Sequence, residues 1–195
     1  MNAGLLSGNG TIVGTVANFG ALSPGNSIGT LTVNGSLAQA ANGTYQVETN
    51  SAGQSDRINV TGTPGTAALN GTVSVVGASG VQAPRTTYTI LNASGGIAGT
   101  FSSANSLYPF LLPSLSYDAN NVYLTLQVGG FAAAGQTAAQ QTVGRVLDAN
   151  VFTATGDFAT VLGTMVAATT ARVWFICILP EVASLGGSPG ENSVR

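Results

Sequence analysis

The chain has 195 residues, 44% of them hydrophobic, which is enough for one domain with a core, or one domain plus an appendage. Only 6% are charged, with five arginines, no lysine, no histidine and a net charge of -2, so no electrostatic footprint for nucleic acid is present. The 27 glycines, with abundant Thr, Ser, Asn, Val and Ala, describe short turns and small-residue strands and exclude a helical bundle: the composition predicts an all-β fold.

In chain order, the opening MNAGLLSGNG lacks a basic n-region and an apolar h-region, and reads as a cut within a longer chain rather than a signal peptide. Strands are predicted at Thr11 to Val16, Thr30 to Val33, Thr44 to Glu48, Arg57 to Val60 and Thr72 to Val76. Between them Asn-Gly-Thr recurs at Asn9, Asn42 and Asn70, at separations of 33 and 28 residues, an interval range typical of stacked architectures. A sandwich of hairpins and a solenoid both fit short strands. The 7% aromatic content is thin for a sandwich core. Stacked coils suit small side chains and let Asn and Thr form hydrogen-bonded ladders, which favours the solenoid.

The densest β-forming text runs from Arg85 to Val128. Thr87 to Leu91 is a β-branched and aromatic strand halted by the turn cluster Asn92-Ala93-Ser94-Gly95-Gly96. After Phe101 a polar loop with Pro109 and Pro113 leads to Leu115, Ser116 and Tyr117, and Asp118-Ala119-Asn120-Asn121 turns the chain. Val122, Leu124, Leu126 and Val128 then alternate with Tyr123, Thr125 and Gln127, the pattern of a hairpin with one buried face. The expected core of this region is Tyr88, Ile90, Phe101, Leu115, Tyr117, Val122, Leu124 and Leu126.

Beyond Gly129-Gly130 the pattern becomes helical. One helix is predicted from about Gln136 to Val151, with Val143, Val146, Leu147 and Val151 recurring at helical spacing. A second starts after Gly156 with Asp157 near its N-terminus and Phe158, Val161, Leu162 and Met165 as its apolar face. Val161 to Leu179 is apolar on average, yet Thr164, Thr169, Thr170 and Arg172 interrupt it, so no membrane span is predicted. From Ala171 the text changes to a stretch with the single Trp and single Cys, ending in a Gly/Ser/Pro tail expected to be partly disordered.

Chemistry-bearing motifs are sparse. The lone Cys177 rules out an intramolecular disulfide or a multi-cysteine metal site, and no calcium-loop pattern occurs, so no metal or cofactor is expected. Gly25-Asn26-Ser27-Ile28-Gly29 has the G-x-S-x-G form of a nucleophile turn, but without a histidine base it reads as a turn. Asp56 and Arg57 are adjacent, which on a strand puts them on opposite faces as a solvent-facing pair or ladder cap. Paired acids for glycoside cleavage would have to come from Glu48, Asp56 and Asp118. Six Asn-x-Ser/Thr sequons lie at Asn9, Asn34, Asn42, Asn59, Asn70 and Asn92, and Asn-Gly turns account for four of them. No catalytic residue is assigned.

The blocks SGNGTIVGTVANFGALSPGNSIGTLTVNGSLAQ, YQVETNSAGQSDRINVTGTPGTAALNGTVSVV, TTYTILNASGGIAGTF and LPSLSYDANNVYLTL resemble the C-terminal passenger region of bacterial type V autotransporters, over about Leu6 to Ala168. Ser23 to Leu31 resembles that family's passenger-associated repeat, Arg85 to Val128 its autochaperone region, and the Ala/Gln-rich helices the segment leading into the outer-membrane barrel. The resemblance implies a right-handed parallel β-helix over 1–84, a hairpin cap over 85–128, a helical linker over 129–170 toward an absent barrel, and an atypical tail over 171–195. It implies a non-enzymatic folding nucleus at the bacterial surface, secreted or anchored in the outer membrane, whose partners are its own upstream coils and a downstream barrel. Two other functions fit the same text: an adhesin-type, virulence-related module for host glycans or matrix, and a β-helix polysaccharide hydrolase or lyase.

Overall fold

A computed structural model describes residues 1–166; the tail expected from Ala171, and the end of the helical linker, lie outside the described residues. The described chain is mostly β-strand. Its elements are β1 (Leu5–Gly8), β2 (Gly10–Asn18), β3 (Ala21–Pro24), β4 (Thr30–Gln39), β5 (Thr44–Asn50), β6 (Arg57–Thr61), β7 (Ala67–Leu69), β8 (Thr72–Ser79), β9 (Arg85–Ala93), β10 (Ile97–Gly99), β11 (Ser103–Ser106), β12 (Leu111–Tyr117) and β13 (Asn121–Val128). Three helices follow: α1 (Phe131–Ala134), α2 (Ala138–Asn150) and α3 (Gly156–Met165).

The strands form two curled sheets, one of five strands in the order β1-β3-β5-β8-β11 and one of eight, β10-β7-β4-β6-β9-β13-β12 with β2 on β4. The five-stranded sheet is paired in parallel throughout. The larger is mixed, because β12 and β13 run antiparallel beyond the parallel strands. The chain crosses from one sheet to the other and returns beside its own previous strand. Gly10 lies beside Leu31, Leu31 beside Ile58 and Ile58 beside Leu91, so successive returns take 21, 27 and 33 residues. Of the two Asn-Gly-Thr intervals, the second is such a return, since Thr44 pairs with Thr72. The first is not: Thr11 pairs with Thr32, at a different corner of the winding.

Strand alternation fills the space between the sheets. Tyr45, Val47, Val60, Val73 and Val75 are fully buried, and Leu22, Val33 and Ile58 nearly so, while their neighbours along each strand face out. β4 turns a corner within its own length, its first half pairing with β6 and its second half with β7. Gly35 sits at that corner with φ 153° and stacks on Gly14, whose carbonyl oxygen occupies the place a Cβ would take. The Asn34-Gly35 sequon therefore lies inside a strand, not in the turn the dipeptide suggests.

Every strand read from the sequence is present, generally longer than expected. Five more are not apparent from it: β1, β3, β7, β10 and β11, of three or four residues each. At one end of the structure β9, β13 and β12 form an antiparallel unit, with a register shift at Val122/Tyr123 and Pro113 on the outermost strand. At the other end β4 is the one strand paired with β2, whose last residue Asn18 is also bridged by Asn2, and β3 is the one strand paired with β1. Val13 there is 81% exposed and Leu5 64%.

The helices differ from expectation in which side they bury. α2 opens with a capping box, Thr137 accepting from the Gln140 amide while the Gln140 side chain accepts from the Thr137 amide. Its buried residue is Gly144, pressed on the backbone of Ala132 in α1, whereas Val143 and Val146 are exposed. In α3, Leu162 and Met165 are buried, but Phe158 and Val161 face outward. Asp148 accepts from the Phe131 and Ala132 amides and so ties α2 to the start of α1, and the Phe131 ring stacks on Phe110 at 4.7 Å. No helix among the described residues is long and apolar enough to cross a membrane.

Candidate functional site

The region from Arg85 to Val128 is assembled by β9 and β13, which bring distant parts of its expected core together. Tyr88, Ile90, Phe101, Val122, Leu124 and Leu126 are buried. Leu115 and Tyr117 are only half-buried, because β12 is the outermost strand and one face of it meets solvent. Tyr117 still reaches inward, its hydroxyl accepting from the Phe101 amide at 3.1 Å, and burial pushes its pKa up. The turn before β13 is held by Asp118, which accepts from the Asn120 and Asn121 amides and from the Tyr123 hydroxyl. Those bonds, the Tyr123 hydroxyl foremost, hold the exposed Asp118 carboxyl down at about 2. Asn120 Nδ2 then donates to the Ala93 carbonyl, docking this turn on the end of β9.

Tyr45 links this region to the parallel strands. Fully buried on β5, it donates its hydroxyl to the Ile90 carbonyl at 2.6 Å, and its ring lies 6.2 Å from that of Phe101. Burial, then the nearby Asp56 carboxylate, pushes its pKa well above the ordinary tyrosine value. The sequence predicts a strand at Thr44 to Glu48 but singles out neither Tyr45 as a core residue nor its contact with Ile90 across 45 positions.

Asp56 and Arg57 do point to opposite faces. Asp56 is wholly buried rather than facing solvent, its Oδ1 accepting from the Gly29 amide at 2.9 Å and its Oδ2 from the Glu48 amide at 2.8 Å. Burial raises its pKa to about 6 against the opposing pull of those two amides. Both oxygens are engaged by backbone, so this carboxylate clamps neighbouring corners of the winding. Glu48 is the next residue but one from Asn50 on β5 and is half-buried on the outward side, while Asp118 sits in the hairpin turn. Ser27 is exposed in the bend between β3 and β4, where it shares a shallow pocket of about 230 Å³ with Glu48, Thr49 and Tyr108.

Polar ladders run across the strands. Asn2 Nδ2 donates to Asn18 Oδ1 at 2.7 Å, and Asn18 Nδ2 donates to Gln39 Oε1 at 2.9 Å. Asn92 Nδ2 donates to Asn121 Oδ1 at 2.8 Å, and the Thr72 and Ser103 hydroxyls lie 3.0 Å apart. Among the described residues no group of three or more His, Cys, Asp or Glu is gathered as a metal site would need.

No family model matches the chain. It is 31% identical over 160 residues to an extracellular serine protease of Serratia marcescens, a similarity that covers 75% of this chain. The chain spans 15% of that relative's length.

Proposed function

We propose that this chain is the folding-nucleus segment of a bacterial autotransporter passenger, a right-handed parallel β-helix whose Arg85 to Val128 region acts as an autochaperone cap. The observation that carries this reading is the difference between the two ends of the strand stack. At one end an antiparallel unit with Pro113 on its outermost strand blunts the sheet edge. At the other, β2 pairs along its whole length with β4 on one side, while on its second side only the end at Asn18 is bridged, by Asn2, and its Val13 is exposed. An upstream coil can add to β2 as β2 adds to β4. Because stability in a stacked fold is approximately a sum of nearest-neighbour terms, a preformed capped end lowers the barrier to adding each further coil.

The similarity to an extracellular protein supports export to the cell surface or beyond. On this reading the chain is not itself an enzyme, and the proteolysis named for that relative resides in the length this chain does not span. The absence of histidine from the sequence supports the same view. Partners are then the chain's own upstream coils and a downstream outer-membrane barrel. The test is to refold a longer passenger with and without residues 85–128: the segment should raise the refolding rate, and equal rates would refute the role.

A further inference from the structure

The outward face of the larger sheet carries a groove of about 520 Å³ at the corner where β4, β6 and β9 begin. It is lined by Arg57 on β6, Thr30 on β4, Thr87 and Thr89 on β9, and Gln54 and Ser55 of the loop before β6. Thr30 and Arg57 are register partners on adjacent parallel strands, which places them about 4.8 Å apart. We propose that this groove binds an oligosaccharide bearing a carboxylate, such as a uronic-acid oligomer, with the Arg57 guanidinium receiving the acid group.

Three observations lead there. Arg57 is the one charged residue lining a groove otherwise made of neutral groups, and its buried Nε meets no acceptor within the protein, so no internal bond of that nitrogen ties the guanidinium down. The one carboxylate adjacent in sequence cannot neutralise it, because Asp56 is turned to the interior with each oxygen taken by a backbone amide. The remaining lining is rich in hydroxyl and amide groups, which match the hydroxyls of a sugar rather than the side chains of an apolar peptide. A planar guanidinium fork selects a planar carboxylate, and a single cation on a chain of net charge -2 does not suit a polyphosphate backbone. The groove is independent of the folding-nucleus reading, since it requires only that the described strands be formed.

The experiment is an NMR titration of the full chain with oligogalacturonate, with a neutral malto-oligosaccharide of the same length as control. The expected result is a set of shifts confined to Thr30, Gln54, Arg57 and Thr87 to Thr89, weakening as salt is added and missing with the neutral sugar. Arg57→Gln should lower the affinity at least tenfold. Gln54→Ala, on an exposed loop where it gives up only the bond its Oε1 accepts from Asn50 Nδ2, should weaken binding while the fold is kept, checked by an unchanged denaturation midpoint. Shifts scattered over the surface, equal binding of the neutral sugar, or binding unchanged in both variants would overturn the assignment.

Discussion

The Gly29 amide donates to the Asp56 carboxylate across 2.9 Å, and the next residue, the first of β6, returns the contact, the Arg57 amide donating to the Gly29 carbonyl at 2.9 Å. Two corners one winding apart are thus locked by a buried acid and a backbone bond. A carboxylate in this setting titrates far from its ordinary range, and that makes the clamp measurable.

Burial raises Asp56 to about 6 in the folded chain, against an ordinary value of 3.8 once the chain unfolds. A raised folded value means that the stabilising contribution is complete below about pH 4 and is lost as pH rises through 6. The difference corresponds to a loss on the order of 3 kcal/mol. Chemical denaturation between pH 4 and 7 should therefore give falling stability in the wild type. In Asp56→Asn the slope should disappear, and a loss of about 1–3 kcal/mol should be present at low pH, because the amide nitrogen faces a backbone donor. A slope that survives the substitution would reassign the titration to another group.

Leu124 is fully buried between β9 and β12. Leu124→Asp puts an unpaired charge into that space and should cost several kcal/mol, read as a lower denaturation midpoint. Leu112→Asp, at a side chain 43% exposed on the outermost strand, is the matched control and should stay within about 0.5 kcal/mol of wild type.

Gly144 inverts the usual helix rule. In an exposed helix, Gly→Ala gains about 1 kcal/mol from propensity. Here the added Cβ would lie 2.5 Å from Ala132 Cα and N, backbone that cannot step aside cheaply. Gly144→Ala should therefore undock α1 from α2 and lower the thermal midpoint. A higher midpoint would mean that the two helices do not pack in solution.

Asn18 is fully buried with both amide groups used, Nδ2 on Gln39 and the Gly20 carbonyl, Oδ1 on Asn2 and the Gly20 amide. Asn18→Ala strands Gln39, whose Nε2 already lacks a partner. The expected loss is about 2–3 kcal/mol. Asn2→Ala, at the open end of the same ladder, should cost less than Asn18→Ala in the same denaturation series.

What could be read from the sequence follows from the length of each element. β4, β5, β8, β9 and β13 carry enough alternating residues to declare themselves. β7 and β10 have three residues each, rich in Ala and Gly, and extend only because β4 and β7 supply ladders beside them. The adjacency of Asp56 and Arg57 correctly predicts opposite faces, but not which is inward. That is decided by the Gly29 and Glu48 amides, brought there by the winding. The outward tilt of Val143, Val146, Phe158 and Val161 was equally hidden. Periodicity identifies an apolar stripe without saying what covers it. Arg57 was legible as a residue and not as a groove, since its threonine neighbours come from positions 27 residues before it and about 30 after.

The winding lengthens from 21 to 27 to 33 residues toward the cap while the strand pairing stays in place. The added residues go into corners such as Gly62 to Pro64, which are exposed. Closing a longer corner is inexpensive in entropy, each doubling adding only about 0.6 kcal/mol. The corner at Thr63 is thus a place to graft a foreign peptide, an epitope or an affinity tag, and have it displayed from a scaffold that still folds.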